Sequence, residues 1–194
     1  MPKTNGAGKA TTLSPAQLDK LLAAAPTPEH RCLWAVMRFT GSRVSETLKL
    51  TWGALHADRL VFVCSTTKTR ITREPRISPQ LNAELECFRD EWKKRWGHEC
   101  RSRDHLIASR FGPAEHMSRA AADLALRQTI ARIGLPSGCS LHTFRRSFAT
   151  TAAQNGAALE TIRRFTGHRS LDQLSRYIDV SARDEEALFR AIAG

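Results

Sequence analysis

The sequence predicts a mainly α fold carrying a small antiparallel β-sheet, an α+β domain. Apolar residues recur every three or four positions along most of the chain, and glycines or Ser-Pro pairs punctuate those segments. Helical periodicity lapses between Trp52 and Pro79, where β-prone residues gather. A length of 194 residues with 41% hydrophobic content suits one domain with a packed core.

Residues 1–12, rich in Lys, Thr, Gly and Ala, read as a disordered lead or linker, leaving 13–194 as the domain. Order is expected from Ser14-Pro15-Ala16-Gln17. Ser at the N-cap, Pro at the first helical position and Gln three residues on form a capping box. Leu18, Leu21 and Leu22 supply the stripe behind it. A second helix is expected over 28–40, stopped by Gly41, and a short third over 43–50. Residues 59–64 are β-prone, and 66–70 and 73–77 follow as candidate partners, with Lys68 near a turn. From Ser78-Pro79 the helical period returns through Leu81, Leu85, Phe88 and Trp92 until Gly97. Further helices are expected over 118–133, 142–155, 159–166, 171–178 and 182–192, separated by Gly134, Gly156 and Gly167. Trp34, Trp52, Trp92 and Trp96 are assigned to packing.

Charge narrows the partner. Thirty Lys and Arg against 19 Asp and Glu leave a net +11, with arginines spread through the predicted helices, which favours a polyanion and a steep salt dependence of binding. Such basicity also occurs in proteins that are only soluble or that meet anionic lipid. No apolar run approaches the ~18 residues of a membrane span, and no signal peptide is evident, so the expectation is a cytoplasmic protein without membrane contact. The five cysteines Cys32, Cys64, Cys87, Cys100 and Cys139 are scattered, with no Cys-x-x-Cys pair. They suggest reduced thiols, no metal site and no cofactor.

The chemistry-bearing residues are individually weak signals. Arg43 and Glu46, three apart, share a helix face, where the carboxylate can orient the guanidinium; alone they read as a solvated ion pair. His142 and Arg145 have the same spacing and sit at a helix start. His168 follows Gly167 at a helix boundary, and Tyr177, the chain's one tyrosine, comes nine residues later. A lone tyrosine is most often a packing residue.

Together and in order, Gly41-x-Arg43-x-Ser45-Glu46-x-x-x-Leu50, then His142-x-Phe144-Arg145 with Ala149-Thr150, then Gly167-His168 with Tyr177, resemble the catalytic domain of the tyrosine recombinase (phage integrase) family. The resemblance runs from about Leu13 to the C-terminus and implies that family's catalytic-domain fold. It implies catalytic roles for Arg43, Lys68, His142, Arg145, His168 and Tyr177, with Glu46 in support. Tyr177 would attack a DNA phosphodiester, with His142 as the candidate base. Arg43 and Arg145 would bind the phosphate as exposed forks, His168 would hydrogen-bond it, and Lys68 would protonate the leaving 5′-oxygen. The implied product is a 3′-phosphotyrosyl enzyme with a free 5′-hydroxyl, religated without ATP.

Phe144 and Thr166 stand where leucine is usual, and neither is expected to touch the reacting groups. Most family members carry a helical clamp domain ahead of the catalytic one, and the residues before Leu13 are too few to form it. A fragment, a naturally short recombinase and a degenerate orphan all fit that shortness. Arg119, Arg127, Arg146, Arg163 and Arg164, with Arg132, are candidate contacts to double-stranded DNA. The segment 182–192 would dock on its own domain or, by family analogy, on a neighbour, building a homotetramer on DNA. A bacterial or phage origin follows from the same analogy. Two alternatives are a type IB topoisomerase-like relaxing enzyme and a catalytically idle DNA-binding module.

Overall fold

A computed structural model gives the structure and describes residues 8–65, 67, 71–179, 186, 189, 190 and 192. α1 (Pro15–Ala23) begins at the expected capping box: Gln17 N donates to Ser14 Oγ at 3.3 Å and Ser14 N donates to Gln17 Oε1 at 2.9 Å. α2 (Pro28–Thr40) is the hub of the fold, burying Cys32, Leu33, Trp34, Ala35, Val36 and Met37 in succession. A helix apolar all round must be surrounded, and α1, α3 (Val44–Leu48), α4 (Pro79–Trp96) and α6 (His142–Gln154) pack around it.

The β content is smaller than the sequence suggests. A 3-10 turn at Trp52–Ala54 leads into β1 (Leu55–His56) and β2 (Arg59–Leu60), paired antiparallel with Leu55 opposite Leu60. Residues 71–77 return beside β2 through two isolated bridges, Arg59 with Arg76 and Phe62 with Arg73. Two features break this ladder. Pro75 can accept from Leu60 N (3.0 Å) but has no N–H to return, and Thr72 Oγ1 substitutes for backbone in accepting from Cys64 N (3.0 Å). A second hairpin pairs β3 (Ala108–Ser109) with β4 (Gly112–His116), in a segment to which the sequence reading assigns no element.

α5 (Arg119–Ile133), α6, α7 (Leu159–Thr166) and α8 (Leu171–Ser175) complete the chain, α8 ending short of the expected 178. Leu21, Leu33, Trp34, Leu81, Leu85, Trp92, Leu126 and Phe144 sit in one large core. The tryptophans pack there: Trp52 stacks on Phe88 at 5.9 Å, with Trp92 edge-on to both. A second, small cluster of Ala149, Ile162 and Leu174 lies under α6 to α8, with Tyr177 and Ile178 against it.

The expectation of disorder through residue 12 is corrected for its last residues. Thr11 N donates to Gly138 O at 3.1 Å, Ala10 is buried, Thr12 Oγ1 reaches Asp179 Oδ2 at 3.1 Å, and Leu13 N donates to Ser147 Oγ at 2.9 Å. These bonds tie the strand to α6 and the Tyr177 region. Of the expected helix over 182–192, only Glu186, Phe189, Arg190 and Ile192 are described, all helical; the rest, like Lys68, lies outside the described residues.

Candidate active site

The site begins where α2 ends. Gly41 adopts φ +60°, and a Cβ there would lie 2.8 Å from the Phe148 ring and 3.1 Å from Thr166 Cγ2, so only glycine fits. A chain of buried hydroxyls fixes the next turn: Thr40 Oγ1 bonds Val36 O (2.6 Å) and Ser42 Oγ (2.9 Å), and Ser42 Oγ meets Thr47 Oγ1 at 2.7 Å. That turn presents Arg43. Its Nη1 donates to Glu46 Oε1 at 2.8 Å and its backbone N to Oε2 at 3.2 Å, leaving Nε and Nη2 unpartnered among the described residues. The predicted Arg43–Glu46 pairing is therefore present, but it is half-sunk in the protein, not a solvated surface pair.

Glu46 is buried and holds a second cation. Arg73 Nη2 donates to its Oε2 at 2.7 Å, Arg73 Nη1 donates to Phe165 O at 3.1 Å, and the guanidinium lies 3.9 Å over the Phe62 ring. Burial opposes the Glu46 charge, but Arg73 and Arg43 outweigh it and hold the carboxyl below the usual carboxylate range. Sequence reading missed Arg73. The available signal was that a carboxylate expected to orient one arginine has acceptor sites left for another.

Arg145 is not an exposed fork. It is 1% exposed, and it donates through Nη1 to Gly41 O (2.8 Å) and Thr166 O (2.7 Å), and through Nη2 to His168 Nε2 (2.9 Å). The physical reason is tertiary: the glycine-capped ends of α2 and α7 converge on α6, and their orphaned carbonyls need a buried donor. Burial, then repulsion from Arg43 and Arg73, push this guanidinium below its ordinary range.

His168 is likewise buried, 2% exposed, with Nδ1 2.7 Å from Thr166 Oγ1. Burial and then the cations Arg145, Arg43 and Arg73 lower its pKa to about 3, so the ring is neutral near pH 7. Both ring nitrogens are engaged within the protein. Thr166, expected to be remote, touches both Arg145 and His168.

Tyr177 packs its ring 4.7 Å from that of His168 and 5.5 Å from the Arg145 guanidinium carbon. Its carbonyl accepts from Thr150 Oγ1 at 3.1 Å, which anchors the backbone just past α8. Arg43, Arg119, His142, His168, Arg169, Arg176 and Tyr177 line one cleft of about 460 Å³. His142 is exposed at the first turn of α6. Five of the six expected catalytic residues thus converge, and the sixth, Lys68, lies outside the described residues.

The other arginines divide. Arg119 and Arg164 are exposed, the first in the cleft and the second in an adjoining groove with Arg59 and Arg163. Arg163 pairs with Glu160 at 2.6 Å and bonds His168 O at 3.1 Å, and Arg127 pairs with Asp123 at 3.0 Å. Arg146 is a correction: it is buried and bonded to Ala10 O and Asp179, so its side chain braces the N-terminal strand and does not face solvent. Among the described residues no cluster of three or more His, Cys, Asp or Glu could hold a metal ion, and no helix is long and apolar enough to cross a membrane.

Residues 11–184 match the sequence profile of the phage integrase family. Tyrosine recombinase XerD of Lacticaseibacillus casei is 31% identical over 183 residues, which are 88% of this chain and 58% of that protein. The chain therefore spans little more than half the length of such relatives. The crystal structure of XerA recombinase superposes with a TM-score of 0.78 at 17% identity, covering 100% of this chain and 67% of that one. XerH site-specific recombinase, in a pre-cleavage complex with its difH substrate, gives 0.71 at 22% identity over 95% and 55%. At such identities the likeness shows a common fold.

Proposed function

The chain belongs to the phage integrase family, and from that premise we propose that it is the catalytic domain of a site-specific DNA recombinase that cuts and rejoins strands through Tyr177. One observation carries this reading: Tyr177 lies against Arg145 and His168 in a cleft that Arg43, Arg119 and His142 also line.

In this reading the Tyr177 oxygen attacks the scissile phosphorus, and the bond to the 5′-oxygen breaks. A 3′-phosphotyrosine and a 5′-hydroxyl result, and attack by a second 5′-hydroxyl reverses the step. Arg43, with Nε and Nη2 turned from Glu46, is the direct ligand of the developing charge on the non-bridging oxygens, while Arg145 supplies positive potential from the floor. His142 takes the phenolic proton and Lys68 returns one to the departing oxygen, roles implied by the family. Because Tyr177 packs on its own chain's His168, attack within one protomer is favoured. Double-stranded DNA as partner is supported by the +11 charge and by the substrate-bound XerH of like fold. Assembly as a tetramer on DNA, in a bacterial cytoplasm, completes the proposal on family analogy.

The test is capture on nicked duplexes of randomised sequence at low salt. The wild type should form a covalent adduct stable to denaturation and exchange strands between duplexes, whereas Tyr177→Phe should bind DNA equally well and form none. Relaxation without exchange would favour a topoisomerase, and binding without any adduct an idle module.

A further inference from the structure

The two oxygens of Glu46 are unequally filled. Oε1 accepts from Arg43 Nη1 at 2.8 Å, whereas Oε2 accepts both from Arg43 N at 3.2 Å and from Arg73 Nη2 at 2.7 Å. Arg73 is fixed at that oxygen by its own surroundings. Its backbone exchanges both hydrogen bonds with Phe62 (2.9 and 3.2 Å), its guanidinium lies 3.9 Å over the Phe62 ring, and Nη1 donates to Phe165 O at 3.1 Å. Arg73 is 7% exposed and lines the adjoining groove with Arg59 and Arg163, not the Tyr177 cleft, so it is no ligand for a phosphate held there. An arginine beside a carboxylate closes on both oxygens where it can, because the two-pronged bond is stronger and better oriented than one. With Oε2 filled, the Arg43 guanidinium is confined to one bond, and its Nε and Nη2 stay free among the described residues.

Resting on the recombinase reading, we propose that Arg73 is a positioning residue: by occupying Oε2 of Glu46 it keeps Arg43 from closing on that carboxylate, and so reserves Nε and Nη2 of Arg43 for the non-bridging oxygens of the scissile phosphate. Without Arg73 the buried Glu46 charge has Arg43 as its one remaining cation, and an underpaired buried charge draws in whatever donor it can reach. Arg43 Nη2 then turns to Oε2, Nε alone is left for the phosphate, and the guanidinium is pulled back from the place where charge develops. Arg73→Lys separates positioning from bracing. An ammonium can keep a cation at Oε2, but it has neither the flat face that meets Phe62 nor the rigid fork that also reaches Phe165 O.

Wild type, Arg73→Met and Arg73→Lys, each as the full chain, are crystallised and assayed for adduct formation on nicked duplexes. In the wild type and in Arg73→Lys the side chain at 73 should hold Oε2, the Arg43 guanidinium should give Glu46 one bond, and the adduct rates should be alike. In Arg73→Met that guanidinium should give Glu46 two bonds, and the rate should fall on the order of 100-fold, as for other small displacements of a group that meets the reacting atoms, with duplex binding unchanged. A scissile methylphosphonate carries no negative charge and asks less of Arg43, so on that substrate the deficit of Arg73→Met should shrink, whereas a deficit from misfolding should persist. Two Arg43 guanidinium bonds to Glu46 already in the wild type, an Arg73→Met variant that closes on Glu46 at unaltered rate, or an Arg73→Lys variant that holds Oε2 yet is as slow as Arg73→Met overturns the proposal. Should Arg73→Met not fold, Arg73→Lys decides alone, because its rate must follow whether Oε2 is occupied. If the wild type forms no adduct at all, the recombinase reading has failed, and the crystal structures then decide whether Arg73 restrains Arg43.

Discussion

Arg145 joins two helix ends as well as lying under the Tyr177 ring, and removing it separates those roles from those of Arg43. Arg145→Ala strands the carbonyls of Gly41 and Thr166 in a dry interior, at about 1–3 kcal/mol each, so the variant should lose at least about 2 kcal/mol in denaturant unfolding. Arg43→Ala, which strands no carbonyl and leaves the buried Glu46 its bond to Arg73, should cost less than Arg145→Ala. Titration of His168 gives a second prediction. Unfolded, its imidazole takes a proton near 6.5; folded, it resists until about 3, so the unfolded state binds the extra proton between those values. Its contribution is complete above about pH 6.5 and shrinks as pH falls toward 3. Glu46, whose folded carboxyl is held below its ordinary value, adds a further loss in acid. Unfolding free energy measured from pH 7 to 4 should fall more steeply for the wild type than for His168→Phe. The i,i+3 pairing of Arg43 with Glu46 was legible in the sequence, because it is local. The burial of Arg145 and the reach of Thr166 were not, because they depend on the ends of α2 and α7 converging on α6, with Gly41 and Arg145 separated by 104 positions.

α8 and the residues after it carry Tyr177 on a thin foundation. Among the described residues, Ala149, Ile162 and Leu174 form the small buried apolar cluster beneath them, aided by Thr150 and by the Arg146–Asp179 tie. Such a unit opens at lower free energy than the large core. Leu174→Ala should therefore cost about 2–5 kcal/mol locally: amide exchange at Tyr177 should rise strongly while α2 amides stay protected, and the adduct rate should drop. Equal acceleration in α2 would show one cooperative unit. Helix ends such as Ser14, Gly41, Gly97 and Gly134 were readable because caps are short-range chemistry. The β3–β4 hairpin was hidden by Gly112-Pro113, and the sheet over 59–77 shrank because Pro75 cannot donate.

Across the molecule, the +11 charge is a statement about the partner. Each phosphate contact contributes about 0.9 to the slope of log affinity against log salt. Arg119→Gln and Arg164→Gln should each lower that slope by about one, whereas Arg31→Gln, already paired with Glu84 at 2.7 Å, should leave it unchanged. The order of the motifs made the fold class and most of the cleft readable without coordinates. Which arginines lie exposed was not readable, since Arg146 and Arg164 differ by burial and not by local sequence. The central claim is that Tyr177 is the nucleophile. Peptide mapping of the covalent adduct, with radiolabelling of the released DNA end, tests it most directly. The account predicts DNA joined through its 3′-phosphate to the peptide containing Tyr177, and a free 5′-hydroxyl on the other fragment. Attachment at another residue, linkage through a 5′-phosphate, or an adduct formed by Tyr177→Phe would contradict it.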